Sequence, residues 1–169
     1  MDGVQPYNFI GPILNVHAMV NGFIVEVIDD VPDERMSEQP GTIVNHPAWT
    51  LSHLNAYAAL LLAMLGDSSV PMAEREMERF GYGSTPVRER GVYAPKRELI
   101  EVFQERNARL AALVAAHHTE WFPRPAPEKY RAHAPTIGHL AITLMVAHPP
   151  HHLGQLKQWR RAAGFGVTR

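Results

Sequence analysis

The sequence predicts an all-α protein, a single four-helix bundle domain over residues 1–169. Three observations predict it. Four long segments place apolar residues three and four apart, the spacing of one helix face. Stretches rich in proline and glycine separate those segments. No run of alternating apolar and polar residues reads as a strand, and no internal repeat or low-complexity tail is present. A chain of 169 residues with 46% hydrophobic content suffices for one domain with a sizeable core.

The first helix is expected from about Asn8 to Ile28. Ile13, Val16, Val20, Ile24 and Val27 form its stripe, and Pro12 is tolerated in the first turn. Asp29-Asp30-Val31-Pro32 stops it. Residues 29–45 form a connector with one turn at Asp33–Met36 and turn chemistry at Gln39-Pro40-Gly41. The second helix begins at Pro47, with His46 as its cap, because a residue before proline avoids the α region. It continues to Leu65, and Gly66 ends it. One stripe is Leu51, Leu54, Ala58, Leu62 and Leu65. A second is Trp49, His53, Tyr57, Leu60 and Met64, and a third holds small residues. A helix this apolar all round packs against several neighbours.

Residues 66–95 are interrupted by Pro71, Gly81, Gly83, Pro86, Gly91 and Pro95, with a short charged helix expected at Ala73–Phe80. A crossover this long lets the second and third helices run parallel. Phe80-Gly81-Tyr82-Gly83 is placed to reach over a pocket. The third helix spans about Lys96–His118, with Leu99, Phe103, Leu110, Leu113 and Val114 inward. A proline-rich connector follows at 121–127. The fourth helix begins near Thr136 and ends before Gly164. Pro149 and Pro150 fall inside it, so it is expected to kink near Ala147.

Composition excludes several functions. A net charge of −1 gives no field favouring nucleic acid or an anionic membrane. No uninterrupted apolar run approaches the ~18–20 residues that span a bilayer. The N-terminal Met1–Pro6 lacks the features of a signal peptide. The absence of cysteine removes disulfides, thiolate ligands and a cysteine nucleophile. The expectation is a cytoplasmic protein that uses neither membrane nor nucleic acid. Lys157, Arg160, Arg161 and Arg169 read as a solvated basic last turn.

Ten histidines remain to be explained. His148 and His152 are four apart on the apolar face of the fourth helix, which projects both imidazoles to one side. An i, i+4 pair of this kind can hold one metal ion. His151 is offset by ~80–100° and belongs at the rim, with a supporting or proton-transfer role, and Gln155 can orient a histidine or a ligand. His139 is out of phase and faces outward. An open catalytic site needs a third ligand. His53, midway along the second helix, is the best candidate, and His17 is a weaker one. His46 is ~10 Å along the axis from His53, too far to share its ion. His117 and His118 suit a helix C-terminus. No Glu-x-x-His, His-Glu-x-x-His, Walker loop, Gly-x-Gly-x-x-Gly or Gly-x-Ser-x-Gly is present.

Two segments together carry a family resemblance. His148-x-x-x-His152-x-Gly154-Gln155-Leu156 followed by Trp159-Arg160-Arg161-x-x-Gly164 resembles the C-terminal signature of the DinB-like (DinB/YfiT) superfamily. His46-Pro47-Ala48-Trp49-Thr50-Leu51-Ser52-His53-Leu54 resembles the segment carrying that family's first histidine ligand. The resemblance implies an up-down-down-up bundle and a divalent metal held by His53, His148 and His152. Where many members carry Glu after the first histidine of the pair, this chain has Pro149. Relatives include thiol-dependent transferases, so the resemblance implies a low-molecular-weight thiol and a small-molecule substrate. A homodimer is also expected.

Two functional classes follow. One is a metal-dependent S-transferase or hydrolase-like enzyme, with Zn, Ni or Fe suited to imidazole ligands. The other is a metal- or ligand-binding bundle without turnover.

Overall fold

A computed structural model describes residues 9–70 and 73–167. The expected helix start at Asn8, the N-terminal Met1–Pro6, Pro71 and Arg169 lie outside the described residues.

Within them the chain is all-helical. The elements are α1 (Ile10–Ile28), α2 (Pro47–Met64), α3 (Ala73–Phe80), α4 (Lys96–Trp121), α5 (Ile137–Ile142) and α6 (His148–Ala162). A π-helical turn, Thr143–Ala147, joins α5 to α6 without leaving helical geometry. Among the described residues there is no strand; an isolated bridge pairs Pro125 with Thr136.

The central element is α2. Its start follows from His46-Pro47: His46 is extended, at φ −111° and ψ 163°, and its Nδ1 accepts from the Trp49 amide at 3.2 Å. Pro47 has no N–H to leave unpaired in the first turn. The end is a glycine cap. Gly66 has φ +82°, and the Asp67 amide reaches back to the Leu62 carbonyl at 3.0 Å. Fourteen of the eighteen α2 residues are buried, as its apolar circumference required. It packs against α3, α4 and α6. Leu51 and Leu54 join Ile24, Ile28, Met36, Phe103, Leu156 and Trp159 in one apolar cluster. Leu61 and Leu62 join Leu110, Val114, Ala141 and Met145 in a second. Each of the larger side chains contributes about 1.5–3 kcal/mol on burial.

The 29–45 connector is more ordered than a loop. It contains the expected turn, a 3₁₀ segment at Asp33–Arg35. Asp33 Oδ1 accepts from the Lys96 amide at 2.5 Å and from Arg90 at 2.7 Å, capping α4 across the fold. The Trp159 indole donates to the Glu38 carbonyl at 2.7 Å. Arg160 departs from the expected solvated turn. It is buried, pairs with Asp30 and donates to the Val27 carbonyl at 3.1 Å. The connector folds over the end of α6 and covers it, which helical phase could not reveal.

Other differences are local. α4 runs to Trp121, past His118, because nothing breaks it before Pro123. Short 3₁₀ turns occur at Arg90–Val92 and Glu128–Tyr130, where no periodicity could announce them. By length and composition α1 is apolar enough to cross a membrane, at mean hydropathy 1.4, with 22% of that window buried. Asn15, His17, Asn21 and Glu26 interrupt it, so no uninterrupted apolar run marks it.

The double proline acts on register. The His148 amide bonds to the Thr143 carbonyl, five residues back. The Met145 carbonyl has prolines both four and five residues ahead, so no helical amide can reach it. His17 on α1 fills that vacancy, its Nδ1 lying 3.0 Å from the Met145 oxygen. Its Nε2 accepts from Asn21 Nδ2 at 3.1 Å. Burial lowers the His17 pKa, against the opposing pull of the Met145 and Asn107 carbonyls, and so favours the neutral ring that this pairing uses. An expected kink is thus a change of helical register, tied down from another helix.

Candidate metal centre

His53 stands midway along α2, and His148 and His152 stand one turn apart at the start of α6. The three rings converge. His148 Nε2 lies 3.0 Å from His53 Nε2 and 3.0 Å from His152 Nε2. Ligand nitrogens about 2.0–2.1 Å from one ion lie roughly 2.9–3.4 Å apart at angles near 90–110°, so the spacing fits a shared cation. His17 is elsewhere, bonded to Met145, and His46 is spent as the α2 cap. His139 is exposed beside Thr136, and His117 and His118 sit at the end of α4.

The outer nitrogens decide which way the lone pairs point. His53 Nδ1 lies 2.6 Å from the Phe80 carbonyl, which can only accept, so that nitrogen carries the proton. His152 Nδ1 donates to Gln155 Oε1 at 2.9 Å. Both Nε2 atoms therefore present lone pairs inward. Gln155 Oε1 also accepts from Asn45 Nδ2 at 3.1 Å, which holds the amide oriented. Gln155 Nε2 donates to Nε2 of His151, an exposed residue, at 2.9 Å. Gln155 thus bears on His152, while His151 stays at the rim as its phase predicted. His148 Nδ1 is buried with no hydrogen-bond partner among the described residues.

Three imidazoles this close cannot all take up protons. Burial first, then the neighbouring imidazoles, lowers the pKa of His148 to about 4 and of His152 to about 3. His53 is lowered as well, again mainly by burial, with the Phe80 carbonyl opposing. Near neutral pH the set is three neutral donors aimed at one point, the state a metal requires.

A cavity of about 460 Å³ opens from this point. The α2 stripe Trp49, His53, Tyr57 forms one wall and fastens the loop 80–84 across it. The Trp49 indole donates to Ser84 Oγ at 3.1 Å and His53 to the Phe80 carbonyl. Trp49 stacks on His53 at 4.6 Å between centroids and 25° between planes, fixing the ligand ring. The loop turns on two glycines. A Cβ at Gly81 would lie 2.4 Å from the Met77 carbonyl oxygen, and Gly83 has φ +86°. Thr143, Leu144, His148 and Gln155 form the opposite wall.

The sequence singled out His53, His148, His151, His152 and Gln155, and the Phe80–Gly83 loop beside them. It did not single out Asn45, Ser84 or the tie from His17. The first two come from connectors with no periodicity. The last was recoverable, since two prolines in succession orphan one particular carbonyl.

No curated protein matches the chain. The DinB superfamily model does match it, over residues 24–156, a span holding all three convergent histidines and the loop beside them. On that match the chain belongs to the DinB superfamily.

Proposed function

We propose that this protein is a mononuclear metal-dependent enzyme acting on a small molecule, of thiol-dependent S-transferase or hydrolase type. The observation that carries the reading is the convergence of the Nε2 atoms of three histidines on one point at the floor of a cavity, with His53 and His152 turning lone pairs inward. A divalent ion held by three neutral ligands would keep its full charge and lower the pKa of a bound thiol or water by several units. The chain supplies no cysteine, so a thiol must come as a low-molecular-weight partner.

The protein's own groups then position and exclude. The Phe80 carbonyl and Gln155 hold two rings in the ligating tautomer. Trp49, Tyr57 and the 80–84 loop wall the reacting end away from bulk water on one side. His151, hydrogen-bonded to Gln155 at the rim, passes protons between site and solvent. The architecture we assign is a four-helix bundle running up-down-down-up. It is supported by α1 packing on α4 and α6, and α2 on α4 and α6. We place the protein in the cytoplasm as a homodimer, independent of nucleic acid and membrane. The exposed Val16, Met19 and Phe23 of α1 support a protein contact there.

A second reading, a metal-binding bundle without turnover, draws on Pro149. It occupies the position where the family resemblance leads one to expect a carboxylate, and no Asp or Glu lines the cavity among the described residues. The test is metal analysis of the purified protein, followed by a panel of thiols with electrophilic co-substrates. Near-stoichiometric metal with metal-dependent conjugation or hydrolysis supports the enzyme. Stoichiometric metal with no turnover across the panel favours the binding module. Absence of metal after exposure to Zn, Ni and Fe overturns both.

A further inference from the structure

The cavity's lining differs from the rest of the molecular surface in one respect. Among the described residues none of its walls carries Asp, Glu, Lys or Arg. A second cavity, of about 260 Å³ on the other side of α2, is lined by Glu76, Arg79, Glu98 and Arg106. The lack of formal charge separates the histidine cavity from this second one.

Its walls combine aromatic and apolar groups with the uncharged polar Asn45, Ser84, Thr143 and Gln155. Trp49 and Tyr57 lie along α2, Leu144 faces them, and Tyr82 stands at the mouth. Tyr82 is 96% exposed, far beyond what an aromatic side chain gains from solvent. The loop carrying it is nevertheless held on either side by the bonds at Phe80 and Ser84. A bare ring on a fastened loop at a cavity mouth is placed to meet a ligand. A ligand with a carboxylate or phosphate on its body would find no Lys or Arg in the lining to pair that charge, which costs affinity. At the floor the requirement reverses, because three neutral donors leave room for one anionic donor atom.

We propose that the cavity selects a small ligand with one anionic donor atom, such as a thiolate, and an uncharged planar body lying between Trp49 and Tyr82. Peptidic or phosphorylated thiols, which bear charges along the body, are the disfavoured class. This rests on the metal site proposed above. On binding, the thiol S–H bond breaks and its proton leaves to buffer; a divalent ion held by His53, His148 and His152 would supply the acceptor for the sulfur lone pair.

The test uses three probes at pH 8: benzyl mercaptan, 2-mercaptoethanesulfonate and glutathione. Cobalt-loaded protein is titrated with each, following the sulfur-to-cobalt absorption band. Metal-free protein is titrated in parallel, following chemical-shift changes at the cavity. Benzyl mercaptan should bind at least tenfold more tightly than either charged thiol. Tyr82→Ala, at an exposed position that leaves the fold intact, should weaken benzyl mercaptan threefold to tenfold and leave the charged thiols unchanged. Equal affinities in both titrations overturn the proposal, as does Tyr82→Ala having no effect. If cobalt does not bind yet the metal-free protein keeps the preference, the metal reading and the anionic-donor half of this one fail, and the preference for an uncharged planar body stands. If cobalt binds without preference, the metal reading stands and this one fails.

Discussion

His46 and His53 lie seven residues apart on one helix, both buried and both with lowered pKa values. They have different fates. Each nitrogen of His46 is spent: Nδ1 takes the Trp49 amide, and Nε2 donates to the Val87 carbonyl at 2.9 Å. His53 spends only Nδ1, and its Nε2 faces two other imidazole nitrogens across α6. Burial and pKa therefore do not separate a histidine spent on structure from one left able to hold an ion. An unspent lone pair does. At the N-terminus of α2 the imidazole substitutes for backbone; two turns further on, the same side chain is held ready by backbone.

The largest effect should come from removing the unspent nitrogens. His53→Ala, His148→Ala and His152→Ala should each lower metal affinity at least a thousandfold, about 4 kcal/mol. Elemental analysis and competition with a chelating dye would read this. His46→Ala should keep metal at wild-type stoichiometry, and its loss there would erase the distinction drawn above.

Next in size is the response of metal-free protein to acid. Burial pushes the His46 pKa down to about 4 from 6.5. The unfolded chain therefore takes up the proton first. The neutral ring's contribution is complete above about pH 6.5, falls as pH drops towards 4, and changes no further below. It amounts to at most about 3 kcal/mol. Urea melts between pH 7.5 and 4.5 would measure the slope. His46→Asn, which keeps a capping oxygen and cannot titrate, should make it shallower by one group's share, since burial lowers His17, His53, His148 and His152 as well. An unchanged slope would show that His46 is not the group responsible.

His17→Ala sharpens the comparison from α1. It orphans the Met145 carbonyl and should cost about 1–3 kcal/mol of stability. Because Met145 lies in the turn that positions His148, metal affinity should fall too. His17→Gln, which can still donate, should recover part of both. Smallest is Gln155→Ala, expected to weaken metal binding about tenfold through the freed His152 ring. His151→Ala, one step further out, should change metal affinity less than threefold.

Much of this was legible because it is periodic. The phase of His148 and His152, the His46-Pro47 start and the apolar circumference of α2 follow from 3.6 residues per turn. His53 stood out as the best third ligand by position on its helix. What stayed hidden depends on chain crossing chain. Asn45 reaches Gln155 over 110 residues of sequence, and Asp30 covers Arg160 over 130. Neither pairing leaves a local trace. The register change at Thr143–Ala147 was only half visible. Proline announces a disturbed helix, but whether the chain bends or winds wider depends on what can receive the stranded carbonyl.

That wider turn also makes the protein sensitive to chain length. A π turn holds one residue more than an α turn would over the same span, so α5 and α6 are about 100° out of step with a single continuous helix. Substitutions at the exposed Ile142, Thr143 or Ala147 change only side chains. Deleting one residue between 143 and 147 would let ordinary winding return, and either Leu140 and Ala141 or His148 and His152 would swing off their present face. At this point in the chain the count of residues carries information that their identity does not.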